Sequence, residues 1–135
     1  MTEVDYPPLP EALTVPVYDN HTHLELSPST GAGSETGSEG EAGGNTLDYK
    51  EHLDRASSVG VRGVVQVGTD LASSRWSAEI AAIEPRVLAA VALHPNEAPL
   101  LEADGSLDDA LAEIYELAGR PRVRAIGETG LDYFR

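Results

Sequence analysis

Short apolar runs alternate with helix-period segments along most of this chain. Residues 15–19, 61–68, 87–93 and 123–127 are each β-branched and apolar enough for strands covered on both faces. Three helical patterns lie between them. The clearest carries Leu107, Leu111, Ile114 and Ala118 at helical spacing, with Ser106 as N-cap, Asp108 and Asp109 in the first turn and Gly119 as the stop. A second runs from Ser73 or Ser74 to Pro85, with Trp76, Ile80 and Ile83 on one stripe. The first covers about residues 47–59 and presents Leu47, Leu53 and Ala56. Strands and helices in this order predict βαβ units on a parallel sheet, an α/β fold of the form (βα)3β.

Residues 27–46 interrupt the pattern with six Gly, four Ser and three Glu, and with no Lys, Arg, Leu, Ile, Val or aromatic residue. Such a segment cannot join a core and reads as a disordered acidic Gly/Ser-rich inserted loop. The residues before it are too few to fold alone, so residues 1–135 are expected to form a single domain. Cysteine is absent, which removes disulfides, zinc–thiolate sites and a cysteine nucleophile together. Any metal here must sit on His and carboxylates. Neither a basic n-region with an apolar h-region nor a membrane-spanning apolar run is visible, so the expectation is a cytoplasmic protein without a membrane partner. The net charge of −14 disfavours non-specific adhesion to phosphate backbones. A polyanionic substrate would need local help, for which bound divalent cations are the obvious source.

Two stretches carry candidate chemistry. Where the first strand should end, the chain reads Asp19-Asn20-His21-Thr22-His23. Side chains alternate along extended backbone, so Asp19, His21 and His23 share a face and the two imidazoles can converge on one ion. Paired loop histidines without a ligand are the plainer alternative, but sites in parallel α/β folds form at the C-terminal ends of strands. The fourth strand runs into Gly127-Glu128-Thr129-Gly130. A carboxylate placed directly after apolar strand residues needs a cation or donor partner, or else faces solvent.

D-x-H-x-H at residues 19–23 and V-R-A-I-G-E-T-G-L-D-Y at residues 123–133 together resemble the TatD family of metal-dependent hydrolases. The resemblance extends over about residues 15–135 apart from the acidic loop, and takes in Val67-Gly68-Thr69 and Leu93-His94-Pro95. Members of that family fold as a (β/α)8 TIM-type barrel, carry two divalent metal ions and cleave phosphodiesters, several with exonuclease activity on DNA. The resemblance therefore implies a metal-dependent hydrolase, a deoxyribonuclease, of which this chain is the N-terminal half, a partial domain. It implies His21 and His23 as ligands of one ion (Mg, Mn or Zn) and Glu128 as the catalytic carboxylate bridging both ions. Asp19 would orient an imidazole, or it simply caps the strand end. His94 would line the pocket against substrate, or it is a satisfied histidine at a strand terminus. Asp132 reads as a turn former, and Arg120, Arg122 and Arg124 as surface charge. No protein partner is implied.

Three departures from the family pattern stand out. The acidic insertion follows the H-x-H turn directly, Glu25 stands where members generally carry Asp, and the family's downstream histidine and aspartate ligands have no residue here to receive them. A full barrel needs about 250 residues. Two alternatives follow: a truncated, catalytically incomplete half barrel, or another metal-dependent hydrolase with an H-x-H strand, of the amidohydrolase or phosphoesterase kind.

Overall fold

The computed structural model describes residues 7–24 and 48–133. The acidic loop expected at residues 27–46, together with Glu25 and Leu47, lies outside them. Four strands, β1 (Val17–Thr22), β2 (Val61–Val67), β3 (Val87–Val91) and β4 (Val123–Ile126), form one sheet in the order β1-β2-β3-β4. Every neighbouring pair is parallel. Between them come α1 (Tyr49–Ser58), α2 (Leu71–Ile83), α3 (Ala98–Asp104) and α4 (Leu107–Ala118). Parallel strands alternating with helices are the arrangement expected of a barrel-type α/β domain. No helix among the described residues is long and apolar enough to cross a membrane.

The core lies between the sheet and its helices. Val64, Val87, Ala89, Val91 and Val123 face Leu53 of α1, Ala78, Ile80 and Ala81 of α2, and Ala110, Ile114 and Leu117 of α4. Register explains the strand contribution. Val64 pairs with Val87, and Ala89 with both Gln66 and Val123, so these positions stack on one face. Leu117 is the largest fully buried side chain; burying a leucine contributes about 1.5–3 kcal/mol. Close approach of α2 to the sheet depends on small residues. Gly68 sits so near Ser74 that there is no room for a Cβ, and the Ser74 hydroxyl donates to the Ala92 carbonyl at 3.0 Å.

Three sequence expectations are corrected. The described residues form four helices, not three: α3, seven residues long, is too short to show a period, yet it has Pro99 in its first turn and ends on Gly105 at φ 81°. The N-cap of α2 is Asp70, whose carboxylate accepts from the Ser73 backbone N–H at 2.7 Å, while Ser73 and Ser74 lie inside the helix and are buried. The apolar stripes are also rotated. Ile83 and Leu111 are exposed, and α4 turns Ala110, Ile114 and Leu117 inward. Ser106 does stand at the N-cap of α4, but its hydroxyl bonds Asp104 and not the helix.

Candidate metal centre

β1 carries His21 inside its last turn of pleat and delivers His23 immediately after Thr22. The ladder to β2 is irregular between Asp19 and Thr22, and the Asp19 carboxylate accepts from the His21 backbone N–H at 3.0 Å. Asp19 thus acts on the strand end, and no bond to an imidazole nitrogen accompanies it. The His23 ring is fixed from β2: its Nδ1 lies 2.9 Å from the Val67 carbonyl oxygen. A carbonyl can only accept, so Nδ1 carries the ring proton and the Nε2 lone pair is directed away from the sheet. That Nε2 lies 3.2 Å from Nε2 of His21.

Glu128 arrives from the far side of the sheet. Gly127, just past β4, donates its N–H to the Val91 carbonyl at 3.2 Å, which seats the following residue above the strand ends. Glu128 Oε2 is then 2.9 Å from His21 Nε2 and 4.0 Å from His23 Nε2. Its other oxygen, Oε1, lies 3.0 Å from Nε2 of His94, which follows β3. On a flat sheet β1 and β4 would stand roughly 14 Å apart, three inter-strand spacings. Contact between their end residues reports a sheet that curls, with the site on its C-terminal rim. His21 is half exposed, His23, His94 and Glu128 less so.

The donor set fits one divalent ion. Two ligands at about 2.0–2.2 Å from a common ion can be no more than about 4.2 Å apart. All three separations among His21 Nε2, His23 Nε2 and Glu128 Oε2 meet that limit. They are the residues among those described whose ligand atoms cluster in this way. Two imidazoles and a carboxylate suit zinc, and a deprotonated Nε2 on His23 is the form a ligand needs.

Of the remaining sequence candidates, Asp132 accepts from the Asn96 side-chain amide at 3.1 Å, a tie between the loops after β3 and β4. Arg122 is not surface charge. Its guanidinium donates to the carbonyls of Ala81, Pro85 and Val87, and Arg124 turns back to its neighbour's carbonyl at Val123. Two participants escaped the sequence reading. The Val67 carbonyl leaves no trace in residue identity, whereas Asn96, two residues past His94 in a Pro-containing turn, has a recognisable turn position.

Comparison with known proteins places this geometry in context. Residues 18–135 match the family described as TatD related DNase. The chain is 38% identical over 116 residues to an "Uncharacterized metal-dependent hydrolase TatD" of Mycobacterium tuberculosis, covering 86% of this chain and 37% of that protein. It is 37% identical over 89 residues to a "3'-5' ssDNA/RNA exonuclease TatD" of Dickeya dadantii, covering 65% and 32%. A protein of the same description from Klebsiella pneumoniae is 36% identical over 89 residues, with the same coverage. The chain spans about a third of the length of these curated relatives.

Proposed function

We propose, from the premise that this chain belongs to the TatD related DNase family, that it serves metal-dependent hydrolysis of phosphodiester bonds in single-stranded nucleic acid, DNA foremost. The observation that carries this reading is the convergence of His21, His23 and Glu128 on one point at the strands' C-terminal ends. A divalent ion held there supplies Lewis acidity toward a phosphoryl oxygen and lowers the pKa of water. The chain's own residues do the rest. His23, locked by the Val67 carbonyl, and His21, whose backbone is held by Asp19, offer two neutral nitrogens in fixed directions. Glu128 offers the anionic oxygen between them.

The two-ion arrangement that the resemblance implies would use Glu128 Oε1 for the second ion. The described donors suffice for one; any second ion would share Oε1 with the contact from His94. Among metals, zinc matches the nitrogen-rich set most directly, with Mg and Mn more dependent on carboxylates and water.

The test is zinc titration by calorimetry, with a labelled single-stranded oligonucleotide offered in DNA and RNA forms. Wild type should bind zinc and gain thermal stability from it, about 2.7 kcal/mol at a hundredfold excess over Kd. The His21→Ala, His23→Ala double variant should lose both, along with whatever hydrolysis the chain shows. Equal zinc binding by the double variant would place the ion elsewhere and overturn the reading.

A further inference from the structure

The contact between His94 and Glu128 has a direction that the surrounding backbone fixes. The Asn96 backbone N–H donates to His94 Nδ1 at 3.1 Å, so Nδ1 is the unprotonated nitrogen of a neutral ring. The proton then sits on Nε2, the atom 3.0 Å from Glu128 Oε1. His94 therefore meets the carboxylate as a hydrogen-bond donor, with no lone pair on Nε2 left for an ion.

The backbone that carries this ring is held on both sides. Its backbone N–H donates to the Thr69 carbonyl at 2.7 Å, and its own carbonyl accepts from Glu97 at 2.8 Å and Ala98 at 3.2 Å. Asn96, which fixes the tautomer through its backbone, also reaches across with its side chain to Asp132 in the loop that carries Glu128. The loops after β3 and β4 are thus joined twice, once through His94 and Glu128 and once through Asn96 and Asp132. The first joint ends on the Glu128 carboxylate and the second on the Asp132 carboxylate of the same loop.

We infer that His94 is a positioning residue, a fixed Nε2–H donor that holds Glu128 Oε1 and so turns Oε2 toward His21 and His23. The inference rests on the metal-site reading above for its consequence, though not for the contact itself. A carboxylate free to rotate offers either oxygen in many directions; one oxygen tied to a rigid donor offers the other in one direction.

Two measurements separate the contact from its consequence. Long-range nitrogen–proton NMR of the imidazoles in the metal-free chain should show His94 with the proton on Nε2; a proton on Nδ1 would overturn the inference whatever the metal does. Zinc affinity should fall about 10- to 100-fold in His94→Ala, the range for loss of a partner that orients a ligand. His94→Gln, whose amide can place an N–H near the position of Nε2, should recover most of that loss, which a lost metal ligand, a lost base or a merely filled cavity would not predict. Wild-type affinity in His94→Ala, or a Gln variant as weak as Ala, would overturn the positioning role. Absence of zinc binding by wild type would overturn the site reading and the consequence drawn from it, while the NMR result would still report whether the contact exists.

Discussion

Replacing Arg122 should cost more stability than any surface arginine. α2 ends at Ile83, and the Ala81 carbonyl would ordinarily receive the N–H of residue 85. That residue is Pro85, which has no N–H to give. Arg122 fills the vacancy with Nε, at 2.8 Å, and spans with Nη2 to the carbonyls of Pro85 and Val87, both also at 2.8 Å. Hydrogen bonds from a charged donor contribute about 1.5–3 kcal/mol each, but these three share one partly exposed guanidinium, so Arg122→Ala should cost about 2–4 kcal/mol in total. The backbone supplies an internal control, because Arg122 sits at φ 68°. Glycine at this position relieves about 1–2 kcal/mol of left-handed strain against about 0.4–1 kcal/mol of added chain entropy, so Arg122→Gly should be no less stable than Arg122→Ala. Arg122→Lys, a single point donor in place of a fork, should fall between wild type and Ala. Urea unfolding with a shared m value measures all three. A loss below about 0.5 kcal/mol in Arg122→Ala, the range of an ordinary surface change, would refute the clamp.

Glu84 receives both Nε and Nη2 of Arg86, at 2.9 and 3.0 Å, and that guanidinium holds its carboxyl below the usual carboxylate range. A depressed folded value means stability that is fully present above the unfolded value of about 4.3 and lost as pH falls through the folded one. The stability gap between wild type and Glu84→Gln should therefore be constant near pH 7 and shrink toward about pH 3, and a gap that widens on acidification would reverse the sign of the argument. Gly68→Ala would place a Cβ 2.6 Å from the Ser74 Cα, a backbone collision between β2 and α2. It should lower stability by about 1–3 kcal/mol, seen as a reduced Tm, and an unchanged Tm would mean that α2 can shift outward freely.

What the residue pattern disclosed follows from physics that is local in sequence. β2 and β3 were legible because a strand covered by helices must be mostly apolar, as at Val64, Val65 and Val67 and over Val87–Val91, even though the buried Gln66 interrupts the run in β2. Their parallel pairing followed from the helices between them. Helix faces were read less well, since Ile83 and Leu111 look like core residues until the partner surface is known. α2 instead packs Ser73, Ser74, Ser77 and Ala78 against a strand it approaches closely. Serine reads as an N-cap in isolation. Here Ser77 donates to the Ser73 carbonyl at 2.7 Å and Ser74 to Ala92, so buried hydroxyls are satisfied within the fold. The H-x-H pair and Glu128 were visible as residue types at strand ends, but their distance from one another depends on the curl of the sheet. The Val67 carbonyl that fixes His23 and the Asn96 N–H that fixes His94 are backbone atoms, which residue identity does not disclose.

On the proposed reading, charge decides how the candidate metal centre would meet a phosphodiester substrate. The chain carries a formal −14, yet charges beyond a Debye length of about 8 Å are largely screened, so the groups at the rim decide what an anion meets there. The arginines nearest in sequence to Glu128 are committed elsewhere: Arg122 to three carbonyls at the opposite end of β4, and Arg124 to the Val123 carbonyl. Among the described residues, the site itself presents two imidazoles, a carboxylate and a donor histidine turned toward that carboxylate. With the imidazoles neutral, as ligation requires, this set carries net negative charge and repels phosphate. One divalent ion would reverse the sign at the point where His21, His23 and Glu128 meet, without a lysine or arginine among the described residues that the site contacts. On the proposed reading the ion is thus the recognition element for the phosphate as well as the source of Lewis acidity. Substrate binding and metal binding should then be lost together in the His21→Ala, His23→Ala variant, with no residual salt-dependent affinity for the oligonucleotide.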